Sequence, residues 1–248
     1  MRFSDSVAVV TGGGQGIGAA VAQALAREGA SIVVAARTQE RIAAVVRAIE
    51  GGRGRGRAKA VRCDVTDPAS VRDLAQAAGA VDILVNNAGV AHSAPLPRIT
   101  LDDWNRVLAV NATGTFLCTQ AFVGGMLERK RGAIVNVASI AGLGGARYIA
   151  AYAAAKHAVI GFTRSVAAEL EGTGVVCNAV CPGFVDTEMT QESVARVSAK
   201  TGKAPEATIA AMLASSGQNR LITAEEVAAV VLRLCSLTGN ANGIIERV

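Results

Sequence analysis

The sequence predicts an α/β fold, a single doubly wound domain over residues 1–248 with a seven-stranded parallel sheet and helices on both faces. Two observations lead to this prediction. Short β-branched runs alternate with alanine-rich helical stretches along the chain, and no repeat, linker or change of composition interrupts them. The 248 residues are 51% hydrophobic, which is enough for one large buried core.

Seven apolar runs are the predicted strands: 6–10, 31–35, 59–62, 81–85, 133–137, 175–180 and 243–248. Strands of a parallel sheet are buried on both faces and therefore form nearly continuous apolar segments, as these runs do. Ligands bind such sheets at the carboxyl ends of the strands. We therefore expect functional residues directly after the predicted strands.

Side-chain caps indicate where three helices begin, because a hydroxyl or carboxylate can accept the free backbone N–H groups of a first turn. These are Asp67 before Pro68, Thr100 with Asp103, and Thr223 with Glu226. The segment 186–222 breaks the alternation, since it is long, mixed in polarity and directly follows a strand. Segments of this kind are often lids, so we predict a substrate lid here, with a surface helical hairpin as the alternative.

Charge and composition exclude several classes of function. The 25 basic and 20 acidic residues are interspersed, although they give a formal net charge of +5. One basic patch, 51–62, has no aromatic residues that would stack on bases, which favours a solvated loop and no nucleic-acid partner. Only His92 and His157 are present and the cysteines are not clustered, so neither a metal site nor a Ser/His/Asp triad is predicted.

A cytoplasmic location without a membrane segment is expected. The five cysteines are odd in number, lie in apolar surroundings and form no CxxC pair, which is typical of buried thiols in a reducing compartment. The N-terminus has an acid at Asp5 and too short an apolar run for a signal peptide. Residues 107–127 are uncharged, but they include Asn111 and Gln120, and we expect a buried helix.

A glycine-rich segment, "TGGGQGIG" at 11–18, follows the first strand and opens a helix. Glycines let the backbone turn sharply and approach a pyrophosphate, while the helix N-terminus offers free N–H groups to the negative charge. The spacing is a variant of the dinucleotide fingerprint, which predicts a nucleotide site. The candidate contacts are Gly12, Gly14, Gln15, Gly16, Ile17 and Gly18.

The end of the second strand indicates which dinucleotide binds. An acidic residue there would bind the ribose 2′-hydroxyl of NAD, but Ala36 and Arg37 follow the strand and no carboxylate comes before Glu40. Arg37 can bind a 2′-phosphate through charge-assisted hydrogen bonds. NADP(H) is therefore predicted, with NAD(H) as the alternative, and stacking of Arg37 on adenine or its exposure to solvent is the other interpretation.

Polar residues follow the next strands in a fixed pattern. "NNAG" at 86–89 comes after the fourth strand and Ser139 after the fifth. Tyr152 follows Ser139 by 13 residues, and Lys156 follows Tyr152 by four. Because residues four apart share a helix face, the phenol and the ammonium are expected on the same side of one helix.

These motifs, taken with Asn111 and "CPGFVDT" at 181–187, resemble in order and spacing the short-chain dehydrogenase/reductase (SDR) family over nearly the whole chain. The resemblance implies a Rossmann-type fold and NAD(P)-dependent oxidoreductase activity. Within the family, the segments 124–139, 152–165 and 176–189 are most similar to bacterial enzymes that reduce 3-oxoacyl thioesters and polyketide ketones.

The resemblance also implies residue roles. Tyr152 would protonate the substrate oxygen in reduction, or act as base in the reverse direction, and Ser139 would polarise the carbonyl. Lys156 would hold the nicotinamide ribose and, with the oxidised nicotinamide, lower the pKa of Tyr152. Asn111 would support a water relay to this lysine. The family pattern further places Asp64 and Val65 against adenine, Asn87, Ala88 and Gly89 along the ribose, and Pro182, Gly183, Val185 and Thr187 around the nicotinamide amide.

The expected activity is NADPH-dependent reduction of a ketone, in particular a 3-oxoacyl thioester on acyl carrier protein (ACP) or CoA. A hydroxyacyl-CoA or secondary-alcohol dehydrogenase working oxidatively is one alternative, and a nucleotide-binding protein without turnover is a more remote one. The cluster 129–131 is interpreted either as a contact for an acidic carrier or CoA phosphate, or as a solvated helix end. Charge-poor helices at 107–127 and 150–170 predict a homo-oligomer, specifically a tetramer.

Overall fold

The computed structural model describes residues 2–52, 57–235 and 241–248, so the predicted basic patch at 51–62 lies partly outside the described residues. One parallel sheet has the strand order β3-β2-β1-β4-β5-β6-β7, and every neighbouring pair is parallel. The strands are β1 Val7–Thr11, β2 Ser31–Ala36, β3 Ala58–Arg62, β4 Ile83–Asn86, β5 Gly132–Val137, β6 Val175–Cys181 and β7 Ile245–Arg247. The predicted seven-stranded doubly wound sheet is confirmed.

Helices cover both faces of this sheet. They are α1 Gly16–Arg27, α2 Gln39–Glu50, α3 Pro68–Ala78, α4 Leu101–Leu108, α5 Gly114–Glu128, α6 Ala150–Glu169, α7 Glu188–Thr201, α8 Pro205–Ser216 and α9 Ala224–Cys235. Alternate residues of β1 point to opposite faces: Val10 packs in a core with α1, α2 and α9, and Val9 packs in a second core with α3 and α5. The burial explains why the inner strands are mostly apolar, whereas the edge strands β3 and β7 carry the exposed residues Lys59, Arg62 and Arg247.

The three predicted helix caps are present. The side chain of Asp67 accepts the N–H of Ala69, and Thr100 accepts that of Asp103. At the third, Oγ1 of Thr223 accepts the N–H of Glu226, whose carboxylate accepts the N–H of Thr223 in return. These local signals were readable because a cap depends on residues within one turn.

A crevice opens where the strand order reverses, between β1 and β4. Oγ1 of Thr11, the last residue of β1, accepts the backbone N–H groups of Asn87 (3.1 Å) and Ala88 (3.2 Å). The loops that leave these two strands are therefore fastened to each other at the carboxyl edge of the sheet. This is the place where doubly wound sheets bind ligands.

The uncharged stretch 107–127 lies within one continuous helix, Leu101–Glu128, which is buried only in part. It contains the end of α4, a π-helical segment Ala109–Thr113, and most of α5. Its sheet side is buried, as at Val107 and Cys118, but Phe116 and Leu127 are 42% and 38% exposed. The stretch Leu101–Glu128 is long and apolar enough to cross a membrane by length and composition alone, a test that core helices of soluble proteins also pass.

The predicted lid segment 186–222 forms a helical hairpin of α7 and α8. The backbone closes its base, because the N–H of Asp186 donates to the carbonyl of Ile222 (2.8 Å) and the N–H of Ile222 to that of Phe184 (2.9 Å). Ser198 and Thr208 join the two helices through their hydroxyls, 3.0 Å apart. The hairpin thus lies outside the sheet layers and next to the carboxyl end of β6.

Candidate active site

A cavity of about 840 Å³ lies at the carboxyl ends of β1, β2 and β4. This volume is typical of a small-molecule site. Most predicted cofactor contacts line it: Gly12, Gly14, Gln15, Gly16, Ile17, Arg37, Asp64, Val65, Asn87, Ala88, Gly89 and Thr187. The structure therefore brings together residues from five separate segments, after β1, β2, β3, β4 and β6, that the sequence assigned to one dinucleotide.

The floor of the cavity fits a pyrophosphate. Gly12 has φ +62°, and a Cβ there would lie 2.8 Å from Cα of Ala88, so this position leaves no room for a side chain. Gly16, at φ +51°, starts α1 beside Thr187. No side chain of the described residues caps this helix at Gln15, and its first turn carries no acid. Free N–H groups and the helix dipole are thus available to a phosphate.

Gly18 serves packing rather than contact with the cavity. A Cβ at this position would overlap the carbonyl oxygen of Gly12 and Nδ2 of Asn87, which donates to the carbonyls of Thr11 and Gly12 at 3.1 Å. The absence of a side chain lets α1 press against the glycine-rich loop and fixes its shape.

Three of the residues assigned to the nicotinamide amide do not line the cavity, and neither do the predicted catalytic residues Ser139, Tyr152 and Lys156. Val185 is buried and pairs with Ile222, and the N–H of Gly183 donates to the carbonyl of Val248. Pro182 follows the end of β6 and offers its carbonyl 3.5 Å from Oγ of Ser139. Their contact with nicotinamide stays a prediction, whereas their observed contacts support the base of the α7–α8 hairpin.

The adenosine end of the cavity is defined by Arg37, Asp64 and two residues that the sequence analysis missed, Thr38 and Arg41. Oδ1 of Asp64 accepts the N–H and the hydroxyl of Thr66 at 2.9 and 2.8 Å. These hydrogen bonds, with the nearby charge of Arg37, hold the pKa of Asp64 below its usual value. Asp64 is therefore ionised and held by its own turn.

Ser139, Tyr152 and Lys156 meet beyond the carboxyl end of β5. Ser139 begins the 3₁₀ turn Ile140–Gly142 and accepts the N–H of Ala141 at 3.1 Å. Nζ of Lys156 lies 5.7 Å from the centre of the Tyr152 ring and donates to the carbonyl of Val137 at 2.8 Å. The predicted shared helix face is present, and Ser139 and Lys156 are buried.

Burial governs the protonation of this group. It raises the pKa of Tyr152, against the opposing hydrogen bond with Ser139. It also lowers the pKa of Lys156 to about 8. The expected lowering of the tyrosine pKa by Lys156 together with the oxidised nicotinamide stays a prediction. In the structure desolvation disfavours both charged forms, and the ammonium donates to the carbonyl of Val137. Tyr152 consequently holds its proton at neutral pH.

Asn111 fastens the loop after β4 close to the lysine. It lies in the π-helical segment, where Nδ2 donates to the carbonyls of Val90 and Val107, both at 2.9 Å. A Cβ on Gly89 would be 2.7 Å from Oδ1 of Asn111 and 3.8 Å from Nζ of Lys156. This arrangement orders the loop beside the lysine, and the predicted water relay remains untested.

Replacing Lys156 by methionine is expected to change stability in a pH-dependent way. Below pH 8 the buried ammonium of Lys156 lowers the free energy of unfolding of the wild type. This destabilisation decreases as the pH rises from about 8, the pKa of Lys156 in the native state, to 10.5, its ordinary pKa. The stability gain of K156M over wild type should therefore shrink by about 3 kcal/mol across this range, at ~1.4 kcal/mol per pKa unit. Denaturant unfolding at several pH values measures it.

The exposed Lys203 provides the control. The substitution K203M should leave the difference from wild type independent of pH. A K156M difference that stays constant between pH 7 and pH 10 would contradict the burial of a charged lysine.

Four cations line the outer part of the cavity, and the sequence analysis did not identify them. Arg98 and Arg106 come from the segment after β4 and from α4, and Arg196 and Lys200 come from α7. We call these four residues the basic mouth. The signal that was available is the spacing of Arg196 and Lys200, which places them on one face of a predicted lid helix.

The structure also gives the positions of the two histidines and of Trp104. His92 lines the cavity with Nε2 3.5 Å from Oδ1 of Asp103. His157 is exposed, and Trp104 packs against the cluster that also holds Tyr152.

The cluster 129–131 does not face the site. Arg129 donates to the carbonyl of Val81, and Arg131 lies 3.7 Å from Asp82. Both residues precede β5, and thus lie at the sheet edge opposite the cavity, which removes the carrier contact suggested for them.

The fold and the cavity define a class of protein, a Rossmann-type oxidoreductase that uses a nicotinamide dinucleotide. The chain belongs to the short-chain dehydrogenase family, whose model, described as "short chain dehydrogenase", matches residues 6–198. The resemblance inferred from the motifs is therefore confirmed, and the protein is an NAD(P)-dependent oxidoreductase.

Relatives in the family have diverse names. A 3beta-hydroxysteroid dehydrogenase of Mediterraneibacter gnavus is 38% identical over 250 residues, covering 95% of this chain and 90% of the relative. A 3-oxoacyl-[acyl-carrier-protein] reductase of Synechocystis sp. is 44% identical over 195 residues, covering 76% and 78%. The crystal structure of actinorhodin polyketide ketoreductase with NADPH superposes with a TM-score of 0.90 at 34% identity, covering 100% of this chain and 97% of that one.

Proposed function

We propose that the protein is an NADPH-dependent ketoreductase that converts the ketone of a 3-oxoacyl thioester, carried on ACP or CoA, into the alcohol. The observation that carries this proposal is one continuous cavity that joins a dinucleotide cleft to the basic mouth. The dinucleotide cleft would hold the cofactor, and the basic mouth would contact a phosphate at the far end of the substrate.

Reduction would use the protonated form of Tyr152. Bound NADPH would supply the hydride to the carbonyl carbon. Tyr152 would donate its phenolic proton to the carbonyl oxygen, so that the carbonyl is reduced to an alcohol and the phenolate is left to take up a proton from solvent. Ser139 would donate a hydrogen bond to the same oxygen, and Lys156 would stabilise the phenolate. Burial raises the pKa of Tyr152, which favours the acid form that reduction needs.

Preference for NADP(H) over NAD(H) is part of the proposal. Arg37 lines the adenosine end, and β2 ends without a carboxylate that would repel a 2′-phosphate. The structural relative named above was solved with NADPH. Use of NAD(H) is the alternative, since Asp64 provides one negative charge at the same end.

The basic mouth favours a phosphate-bearing substrate over a neutral one. Within the described residues, Arg98, Arg196 and Lys200 form no ion pair, and Arg106 has only Asp103, at 3.5 Å. Unpaired cations on two sides of one opening attract anions. The reductases of 3-oxoacyl-ACP among the relatives agree with this choice. The steroid dehydrogenase relative favours the second candidate, a secondary-alcohol or hydroxyacyl-CoA dehydrogenase acting oxidatively.

Removing two cations of the mouth is expected to weaken binding of the carrier selectively. The variant R196Q/K200Q should raise KM for 3-oxobutyryl-CoA about five- to tenfold with kcat nearly unchanged, since each exposed ion contact contributes up to ~1 kcal/mol. KM for the matching N-acetylcysteamine thioester, which has no phosphate, should not change. Steady-state kinetics with NADPH measures both.

The control variant R47Q/R72Q removes the same charge from exposed positions on α2 and α3 away from the cavity, and it should leave both KM values unchanged. Equal effects of R196Q/K200Q on the two thioesters would contradict a phosphate contact. Faster oxidation of an alcohol than reduction of either thioester at neutral pH would favour the second candidate.

Three further proposals concern the whole molecule. Residues 186–222 would act as the substrate lid, since α7 supplies one wall of the cavity. The protein would be cytoplasmic. It would also be a homotetramer, because Phe116 of α5 packs edge to face on Phe162 of α6, with 6.3 Å between the ring centroids, and leaves an exposed apolar face. A monomeric mass by light scattering at micromolar concentration would refute the tetramer.

A further inference from the structure

An ion pair joins two walls of the dinucleotide cleft that are far apart in sequence. Nη1 of Arg41, on α2, donates to Oε2 of Glu188 at 2.6 Å, and Nη2 donates to Oε1 at 3.0 Å. Glu188 is the first residue of α7, and the two residues are separated by 147 positions. Two parallel hydrogen bonds fix both the distance and the orientation of the partners.

The pair lies next to the glycine-rich loop. Cβ of Arg41 is 3.1 Å from the position of a Cβ on Gly14, and Thr187, which precedes Glu188, contacts Gly16 in the same way at 3.1 Å. Arg41 and Thr187 both line the cavity. The two partners therefore approach the loop from its two sides, α2 and α7, where the pyrophosphate of a dinucleotide is expected.

We propose that Arg41 and Glu188 form a strap, a pair of positioning residues that closes α7 against α2 over the dinucleotide and retains it in the cleft. The proposal rests on dinucleotide binding in this cavity. In this proposal α7 contributes to both sides of the cavity. Glu188 closes the cofactor side, and other residues of α7 form a wall of the substrate side.

The strap is weak enough to open. The side chains of Arg41 and Glu188 are 46% and 45% exposed, and exposed ion pairs contribute little to stability and are screened by salt. Entry of a dinucleotide then requires only that this pair separates. Once the dinucleotide is bound, the closed pair lies across its exit, so the strap should act mainly on the dissociation rate.

The second function of the pair is that Arg41 neutralises the carboxylate of Glu188. Without Arg41, the carboxylate of Glu188 would stand unpaired at the anionic pyrophosphate site. Loss of Arg41 should therefore weaken binding more than loss of Glu188.

A double-mutant cycle tests the strap directly. The variants are R41Q, E188Q, R41Q/E188Q and the exchange R41E/E188R, and the readout is the NADPH dissociation rate by stopped-flow fluorescence. We expect E188Q to raise the rate about twofold and R41Q up to about fivefold, the range for exposed pairs. The double variant should be no faster than R41Q, and the exchange should restore the rate to within about twofold of wild type.

NADH provides a second arm, because the strap does not involve the 2′-phosphate. The same fold-changes are expected with NADH. An effect confined to NADPH, and an exchange variant as weak as R41Q, would overturn the strap and assign Arg41 to the 2′-phosphate instead. Additive effects in the cycle would overturn it as well.

Arg220 and Glu226 supply a matched control, since they form another exposed two-bond pair, at 2.6 and 2.8 Å, and do not line the cavity. The variant R220Q should leave the dissociation rate unchanged. These measurements need only dinucleotide binding, so failure of thioester reduction would contradict the proposed function without affecting the cycle.

Discussion

Replacing Tyr152 by phenylalanine is expected to lower kcat for ketone reduction by about 10²- to 10⁴-fold, the range that a positioned general acid contributes. The phenol is partly buried beside Ser139 and Lys156, and its raised pKa keeps the proton available at neutral pH. Phenylalanine preserves the packing with Val107 and Ala151 while it removes the donor. Single-turnover kinetics with NADPH and a 3-oxoacyl thioester measures the loss.

The chain contains its own control for this experiment, because Tyr148 is the only other tyrosine. It is 59% exposed and four residues earlier, so Y148F should retain nearly full activity. The affinity of Y152F for NADPH, measured by fluorescence titration, should match wild type. Retention by Y152F of a tenth of wild-type activity or more would contradict its role as the acid.

Replacing Gly18 by alanine is expected to disrupt dinucleotide binding although Gly18 does not line the cavity. The added methyl would overlap the carbonyl oxygen of Gly12 and Nδ2 of Asn87. Relief of this contact requires α1 to move from the glycine-rich loop, at a cost of ~1–3 kcal/mol. We expect at least a tenfold loss of NADPH affinity, about 1.4 kcal/mol, measured by titration.

Gly161 in α6 is the matched control, because a Cβ there meets nothing within 4 Å. Alanine favours a helix over glycine by ~1 kcal/mol at both positions, so the difference between the variants isolates the steric contact. G161A should bind NADPH as tightly as wild type. Unchanged affinity in G18A would show that α1 and the loop can separate freely, against the packing described here.

The topology could be predicted because its signals are local or periodic. The seven strands and their parallel arrangement follow from apolar runs that alternate with helical stretches, and the caps at Asp67 and Thr100 depend on neighbours within one turn. The gathering of Ser139, Tyr152 and Lys156 followed from the family resemblance together with the rule that site residues lie at the carboxyl edge. The segment 186–222 was singled out by its length, its mixed polarity and its position after a strand.

Properties that depend on packing could not be predicted. The pKa values of Tyr152 and Lys156 are set by burial, which the spacing of the two residues does not reveal. The Arg41–Glu188 pair joins residues 147 positions apart, and no pattern in either helix indicates its partner. The cluster 129–131 has the positive charge that a carrier contact needs, but it lies at the edge of the sheet opposite the cavity. Its position depends on the direction of β5, which charge alone does not reveal.

The central claim is that this NAD(P)-dependent oxidoreductase reduces 3-oxoacyl thioesters with NADPH. The most direct measurement follows NADPH consumption and alcohol formation with 3-oxobutyryl-CoA at neutral pH, in parallel with NADH. We predict one alcohol formed per NADPH consumed and a kcat/KM at least tenfold higher with NADPH, a difference of about 1.4 kcal/mol. Preference for NADH, or binding of NADPH without reduction of the thioester, would contradict the claim.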